Sequence, residues 1–344
     1  MNSTTPSAVN RRIAAWLLIV CALLFAMVVL GGVTRLTRSG LSIVEWQPLI
    51  GTIPPLTEAD WQTLFEKYQQ TPEYQKVNVG MDLEGFKGIF WLEYLHRLLG
   101  RLIGVAFLLP FLYFLVRKQI ERPLAPKLVG LFVLGGLQGL MGWLMVASGL
   151  VDVPRVSPYR LTAHLALAVA IYGYMLWVAL GLLMPRPAEN QETRARLRGF
   201  GIFTTAIIFL MILSGAFVAG TKAGFVFNTF PLMAGQFAPP GLIALEPWWV
   251  NLFENVATVQ FNHRLLAYVV IAVVVAYWWR ARPVAHGTAR IAFHLLLATL
   301  ALQVVLGIAT LVLVVPVWLG AAHQGGALLL FTAALYLNHH LRRA

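Results

Sequence analysis

Four histidines carry the chemistry of this chain. Glu93-Tyr94-Leu95-His96-Arg97 and Gln260-Phe261-Asn262-His263-Arg264 echo each other, and each opens a long apolar run. Each is followed by one more histidine in a later apolar run, His164 after His96 and His323 after His263. A histidine in a lipid-embedded helix is costly, and such residues mark functional sites. Two neutral imidazoles on facing helices are the usual axial pair for a haem iron in a bundle. Zinc gathers three or four ligands at one point. Two histidines per site instead suit a planar macrocycle that supplies the other four nitrogens. A single intramembrane histidine is readily explained as hydrogen-bonded core; four at matching places are not.

Charged residues sit beside these histidines. Arg97 and Arg264 each follow one directly, and a guanidinium pairs bidentately with carboxylates such as haem propionates. Arg35 and Lys222, at matching span ends, have the same potential; interfacial snorkelling is the alternative for all four. Glu93 lies three residues before His96, on the same helix face, and its counterpart is Gln260, which cannot ionise. A carboxylate beside a macrocycle can accept a proton, orient water or stabilise positive charge. That places chemistry in the first site and a held cofactor in the second. The plainer alternative is that Glu93 pairs with Arg97 or Arg101. His286, His294, His339 and His340 lack this pattern and read as structural or solvated.

The elements that position these residues are membrane spans. The chain is 59% hydrophobic and 12% charged, with a mean hydropathy of +0.73, the composition of a polytopic membrane protein. Its net charge of +12 resides in short loops between apolar runs, so it reports topology rather than nucleic-acid binding. Cys21 is the one cysteine, which excludes an intramolecular disulfide. Eight spans are expected, at about 13–33, 89–116, 127–147, 160–184, 200–220, 256–279, 288–313 and 318–338. The first follows Arg11-Arg12, is too long for a signal-peptide core, and lacks a cleavage site. The bias of basic residues places both termini in the cytoplasm. All four histidines then lie early in outer-to-inner spans, at one depth near the outer face.

The halves repeat. Gly32-Val33-Thr34-Arg35 resembles Ala219-Gly220-Thr221-Lys222, and Gln138-Gly139-Leu140-Met141-Gly142 resembles Gln303-Val304-Val305-Leu306-Gly307. Four spans separate corresponding elements, so the repeats are parallel. The expected fold is all-α: an N-terminal four-helix bundle (1–184), a cytoplasmic linker (185–198) and a C-terminal four-helix bundle (199–344). The long outer loop, about 34–88, contains a helix start at Thr57-Glu58-Ala59-Asp60. Trp61, Leu64, Phe65 and Tyr68 follow as an apolar stripe, suited to the membrane surface, to covering the bundle, or to packing on its own neighbours. In the second outer loop, about 221–255, Trp248-Trp249 suits an interfacial belt.

These motifs resemble the haem A synthase family, as does Gly31-Gly32-Val33-Thr34-Arg35-Leu36-Thr37 with Gly40-Leu41-Ser42. The lack of paired outer-loop cysteines resembles its proteobacterial and mitochondrial branch. The resemblance implies a multi-pass enzyme of the bacterial inner membrane. It would oxidise a methyl group of haem O to a formyl group, giving haem A for terminal oxidases, with the oxygen from water or O₂. It implies haem O between His96 and His164, with Glu93 catalytic and Arg97 and Arg35 binding the substrate. It implies a haem b cofactor between His263 and His323, with Arg264 and Lys222. Implied partners are a haem O synthase, an electron-transfer protein and further copies of the chain. The rival is a bis-histidine dihaem cytochrome acting only in electron transfer, but one carrying electrons across the membrane would stack its haems at two depths.

Overall fold

A computed structural model describes residues 6–48, 50–184, 192–282 and 287–341, excepting the side chains of 192–196. The described residues are helical with connecting loops and contain no strand. Eight helices are long and apolar enough to cross a membrane. They are α1 (Ala8–Leu36), α4 (Leu83–Val116), α5 (Ala125–Ala147), α6 (Pro158–Leu183), α7 (Glu192–Thr221, apolar from Leu197), α8 (Val256–Ala281), α9 (Gly287–Val312) and α10 (Val317–His340). Two shorter helices, α2 (Glu58–Gln69) and α3 (Pro72–Lys76), lie between α1 and α4. Of the expected linker 185–198, residues 185–191 and likewise His286 lie outside the described residues, and 192–198 begin α7.

The start of α4 departs from the expected span, at 83 rather than 89. Asp82 caps it, its Oδ1 accepting from the Gly85 N–H at 2.8 Å. The added turn is stable because its aromatic residues find cover. Phe86, Phe90 and Tyr94 form one buried cluster with Trp61, Phe65 and Tyr68 of α2. So the apolar stripe of α2 packs on the head of α4. The α2 start is a capping box: Thr57 Oγ1 accepts from the Asp60 N–H at 3.2 Å, and Asp60 Oδ2 accepts from the Thr57 N–H at 2.9 Å. Burial pushes the Tyr68 phenol up to about 12, so it stays a neutral member of the cluster.

The chain divides into two compact units, one of residues 20–171 and the other of residues 1–19 with 172–344. In the second, α7, α8, α9 and α10 close a ring, each in backbone contact with the next and α10 with α7. In the first, the close backbone approaches among the long helices are those between α4 and α5. Only 6% of the apolar core of α5 is buried inside the protein, so this helix needs lipid or another apolar surface over most of its face.

Candidate functional site

His96 on α4 and His164 on α6 fall in the first unit; His263 on α8 and His323 on α10 fall in the second. Each unit thus holds one of the two expected histidine pairs. Three of the four sit within about two turns of their helix starts; His96 lies deeper because α4 begins early.

Each second histidine rests in a seat made by the neighbouring helix. Gln138 and Gly142 lie one turn apart on α5, as Gln303 and Gly307 do on α9. Gln138 Nε2 donates to the His164 carbonyl at 3.1 Å, and Gln303 Nε2 donates to the His323 carbonyl at 3.0 Å. A Cβ at Gly142 would lie 3.0 Å from His164 Cε1, and one at Gly307 would lie 2.9 Å from His323 Cε1. The sequence shows this Gln-x-x-x-Gly repeat but not its role, which depends on which helix faces which. The first histidines also meet glycine: a Cβ at Gly31 would stand 3.2 Å from His96 Nε2, and one at Gly215 would stand 3.3 Å from His263 Cε1.

The residues flanking the first histidines hold loops. Glu93 is 2% exposed and every acceptor direction is used. Its Oε2 accepts from the Ser42 N–H (2.7 Å), the Ser42 hydroxyl (2.7 Å) and the Ile43 N–H (2.9 Å). Its Oε1 accepts from Arg97 Nε at 3.0 Å and Nη2 at 2.6 Å. Arg97 also donates to the carbonyls of Ile43 (2.7 Å) and Glu45 (2.8 Å). Arg101 donates to the carbonyls of Pro48 (2.9 Å) and Gln47 (2.8 Å), and the Tyr94 hydroxyl to that of Thr52 (2.7 Å). Trp46 of the same loop stacks on Trp143 of α5, centroids 6.0 Å apart, and Arg97 lies over that ring. Pairing of Glu93 with Arg97, one of the two roles open from the sequence, is therefore present; Arg101 bonds the loop rather than Glu93.

The second unit repeats the arrangement with reversed polarity. Arg264 donates to the carbonyls of Phe227 (2.7 Å) and Thr229 (2.8 Å), and Gln260 Nε2 donates to that of Phe227 (3.0 Å). The first loop presents N–H groups and requires an acceptor, hence a carboxylate; the second presents a carbonyl and requires a donor, hence an amide. This accounts structurally for the mismatch of Glu93 and Gln260. Arg35 is half-buried near Glu73, Arg38 and Arg155. Lys222 is exposed where α7 ends, with φ of 61°.

The remaining histidines are placed otherwise. His294 Nδ1 lies 2.7 Å from the Arg290 carbonyl, and His339 is 1% exposed against Trp177. A depression of about 440 Å³ at the start of α9 includes His294 but none of the four paired histidines, so it lies apart from the chemistry.

The paired histidines fit a macrocycle better than a small ion. Among the described residues, no three His, Cys, Asp or Glu side chains cluster as a metal set. Each unit offers two imidazoles bordered by glycine, and His323 Nδ1 is buried without a hydrogen bond.

The family described as COX15-CtaA, cytochrome oxidase assembly protein, matches residues 14–335. "Heme A synthase" of Nitrosospira multiformis is 62% identical over 340 residues, covering 98% of this chain and 95% of that protein. "Heme A synthase" of Nitrosomonas eutropha is 54% identical over 350 residues, covering 99% and 98%. "Heme A synthase COX15" of Arabidopsis thaliana is 46% identical over 345 residues, covering 97% and 75%.

Proposed function

The chain belongs to the COX15-CtaA family of cytochrome oxidase assembly proteins, and from that premise we propose how it works as a haem A synthase. It is an oxidoreductase and a multi-pass protein of the bacterial inner membrane, with eight spanning helices. It oxidises a methyl group of haem O to a formyl group, giving haem A for terminal oxidases. The observation that carries the mechanism is the pairing of His96 with His164 and of His263 with His323, one pair per unit.

The first pair takes haem O as substrate, and the second takes haem b as resident cofactor. Haem b, when bound, supplies one-electron redox chemistry. The functional division is 1–184 for the substrate bundle, 185–198 for the connection and 199–344 for the cofactor bundle, with both termini cytoplasmic. Two contrasts support it. The helices of the second unit form a closed ring, as a permanently filled site requires; the first unit has fewer close backbone approaches, as a site that exchanges a bulky substrate requires. Among the described residues, the carboxylate one turn from a paired histidine is Glu93, and it belongs to the first.

Glu93 is saturated with donors, so it acts as a fixed negative charge one turn from His96 rather than as a free base. In that position it stabilises positive charge developing at the substrate. Arg97 and Arg264 hold the loops over the first histidines. Arg35 with Arg38 and Arg155 supplies positive charge for the substrate propionates, and Lys222 does so for the cofactor. A haem O synthase, an electron-transfer partner and further copies of the chain complete the assembly. The test is co-expression with a haem O supply, then pigment extraction and chromatography. Haem A must appear with the intact chain and disappear with His96→Ala or His164→Ala; its absence from the intact chain, with haem bound, identifies an electron carrier instead.

A further inference from the structure

Two loops have the make-up of segments that lie in lipid rather than in water. Residues 46–57 and 223–245 hold no Asp, Glu, Lys or Arg, whereas the stretch 58–87 that follows the first holds nine. Their apolar side chains point outward. Ile50, Ile53 and Leu56 are 68–78% exposed, and Phe237 and Ile243 are 67–76% exposed. Phe225, Phe230 and Leu232 are exposed as well. Single apolar residues are ordinary on a surface; an uncharged run of them marks an interaction or membrane contact.

An arginine of a spanning helix ties each loop at membrane depth. Arg101 on α4 stands 16 residues before Arg117 (117 − 101), and Arg264 on α8 stands 16 before Arg280 (280 − 264). Arg117 and Arg280 close their helices and mark the headgroup level at that end. The rise between the two arginines of each helix is about 24 Å, less than the hydrocarbon thickness of about 30 Å. Each guanidinium therefore springs from within the hydrocarbon, where it needs acceptors. The loops supply them. Arg101 donates to the carbonyls of Gln47 and Pro48, and Arg264 to those of Phe227 and Thr229.

An unpaired backbone group in hydrocarbon is costly, and further loop carbonyls are paired by side chains. The Tyr94 hydroxyl donates to Thr52, Asn228 Nδ2 to Gly224 and Leu311, and the Thr229 hydroxyl to Leu232. Pro48, Pro54 and Pro55 in the first loop, and Pro231, Pro239 and Pro240 in the second, bring no N–H to satisfy.

We propose that these two loops are flaps seated in the membrane leaflet beside the starts of α4 and α8, with phospholipid acyl chains as their partner. Arg101 and Arg264 are the pins that hold them there. The inference rests on the spanning helices and not on which haem each unit takes. A second protein chain is the rival cover, and the test separates the two.

The experiment uses the full-length protein in phosphatidylcholine vesicles, with Cys21→Ala and one cysteine added for a fluorescent label. The added cysteines are Ile53→Cys, Phe237→Cys and, as the aqueous reference, Glu58→Cys, whose side chain is 81% exposed. Doxyl-labelled lipid quenches dyes among the acyl chains, and iodide quenches dyes in water. The labels at 53 and 237 are expected to be quenched by doxyl lipid and spared by iodide, and the label at 58 the reverse. Adding Arg101→Leu is expected to abolish doxyl quenching at 53 and to leave that at 237 intact. A label at 53 or 237 that iodide quenches as it does the one at 58 overturns the flap there. A label that neither quencher reaches identifies a protein cover and overturns it too. Doxyl quenching at 53 that survives Arg101→Leu overturns the pin, as does loss at both 53 and 237, which assigns the effect to the fold.

Discussion

Alanine at Gly307 or Gly142 tests whether the seated rings are ligands. The added Cβ would lie 2.9 Å from His323 Cε1, or 3.0 Å from His164 Cε1. Carbon atoms settle at about 3.5–4.0 Å, so either ring must withdraw by roughly 0.5 Å or more. Metal–ligand distances hold to about 0.2 Å, so the displaced ring no longer ligates where it did. Retreat of the backbone is resisted, because Gln303 and Gln138 tie the carbonyl of each histidine. Gly307→Ala is therefore expected to lower haem retained by the second bundle, and Gly142→Ala to lower haem O binding, each by about 10–100-fold in affinity. Gly139→Ala is the control on the same helix: its Cβ meets nothing within 4 Å, and alanine gains up to about 1 kcal/mol in helix propensity. The assay is haem per protein after purification, with the reduced absorption spectrum. Full haem content and an unchanged spectrum in Gly307→Ala refute the reasoning, since the crowded ring would then not be at the iron. Equal losses in Gly139→Ala and Gly142→Ala refute it as well, by assigning the effect to helix packing.

Glu93→Gln is expected to leave haem bound in both bundles and to stop haem A formation; normal production on chromatography removes the carboxylate from the chemistry. Ser42→Ala removes one donor to Glu93 at constant charge and is expected to destabilise the loop by about 1 kcal/mol, read as faster proteolysis between residues 38 and 48. Trp61→Ala empties the centre of the α2–α4 aromatic cluster at about 3–5 kcal/mol, and is expected to expose the outer loop to protease while the second haem is retained. Thr57→Ala removes the α2 cap at about 1 kcal/mol. The Thr57 and Leu56 N–H groups hold the Asp60 carboxyl below the usual carboxylate range. Its contribution is present above the unfolded value of about 3.9 and is lost as pH falls through the lower folded value, so hydrogen exchange of the first turn of α2 is expected to rise only in strong acid.

Spans, the Thr57 cap and the histidine pairs were legible because each rests on local signals: apolar length, a capping motif, a repeat. The start of α4 was not, because Phe86 and Phe90 look like any membrane-edge residues until α2 is seen to cover them. The sequence leaves two readings of Glu93 open, chemistry or pairing with an arginine, and does not reveal why Gln260 stands opposite it. What distinguishes them is whether a distant loop presents N–H or C=O groups, which residue types do not encode. The seats at Gln138 and Gln303 were visible as a repeat, yet without facing helices a glutamine and a glycine one turn apart also describe plain helix packing.

Glu93, Arg97 and Arg101 follow one another at intervals of four along a single ridge of α4. Their partners advance in step along the loop, at 42 and 43, then 43 and 45, then 47 and 48. Ser42 apart, they bond the main chain, which is the same whatever the residue. Removing one residue would slide every later partner by about 3.3–3.6 Å, beyond the reach of a hydrogen bond. The ridge therefore gauges the length of the segment, while Ser42 and Trp46 are held by their side chains.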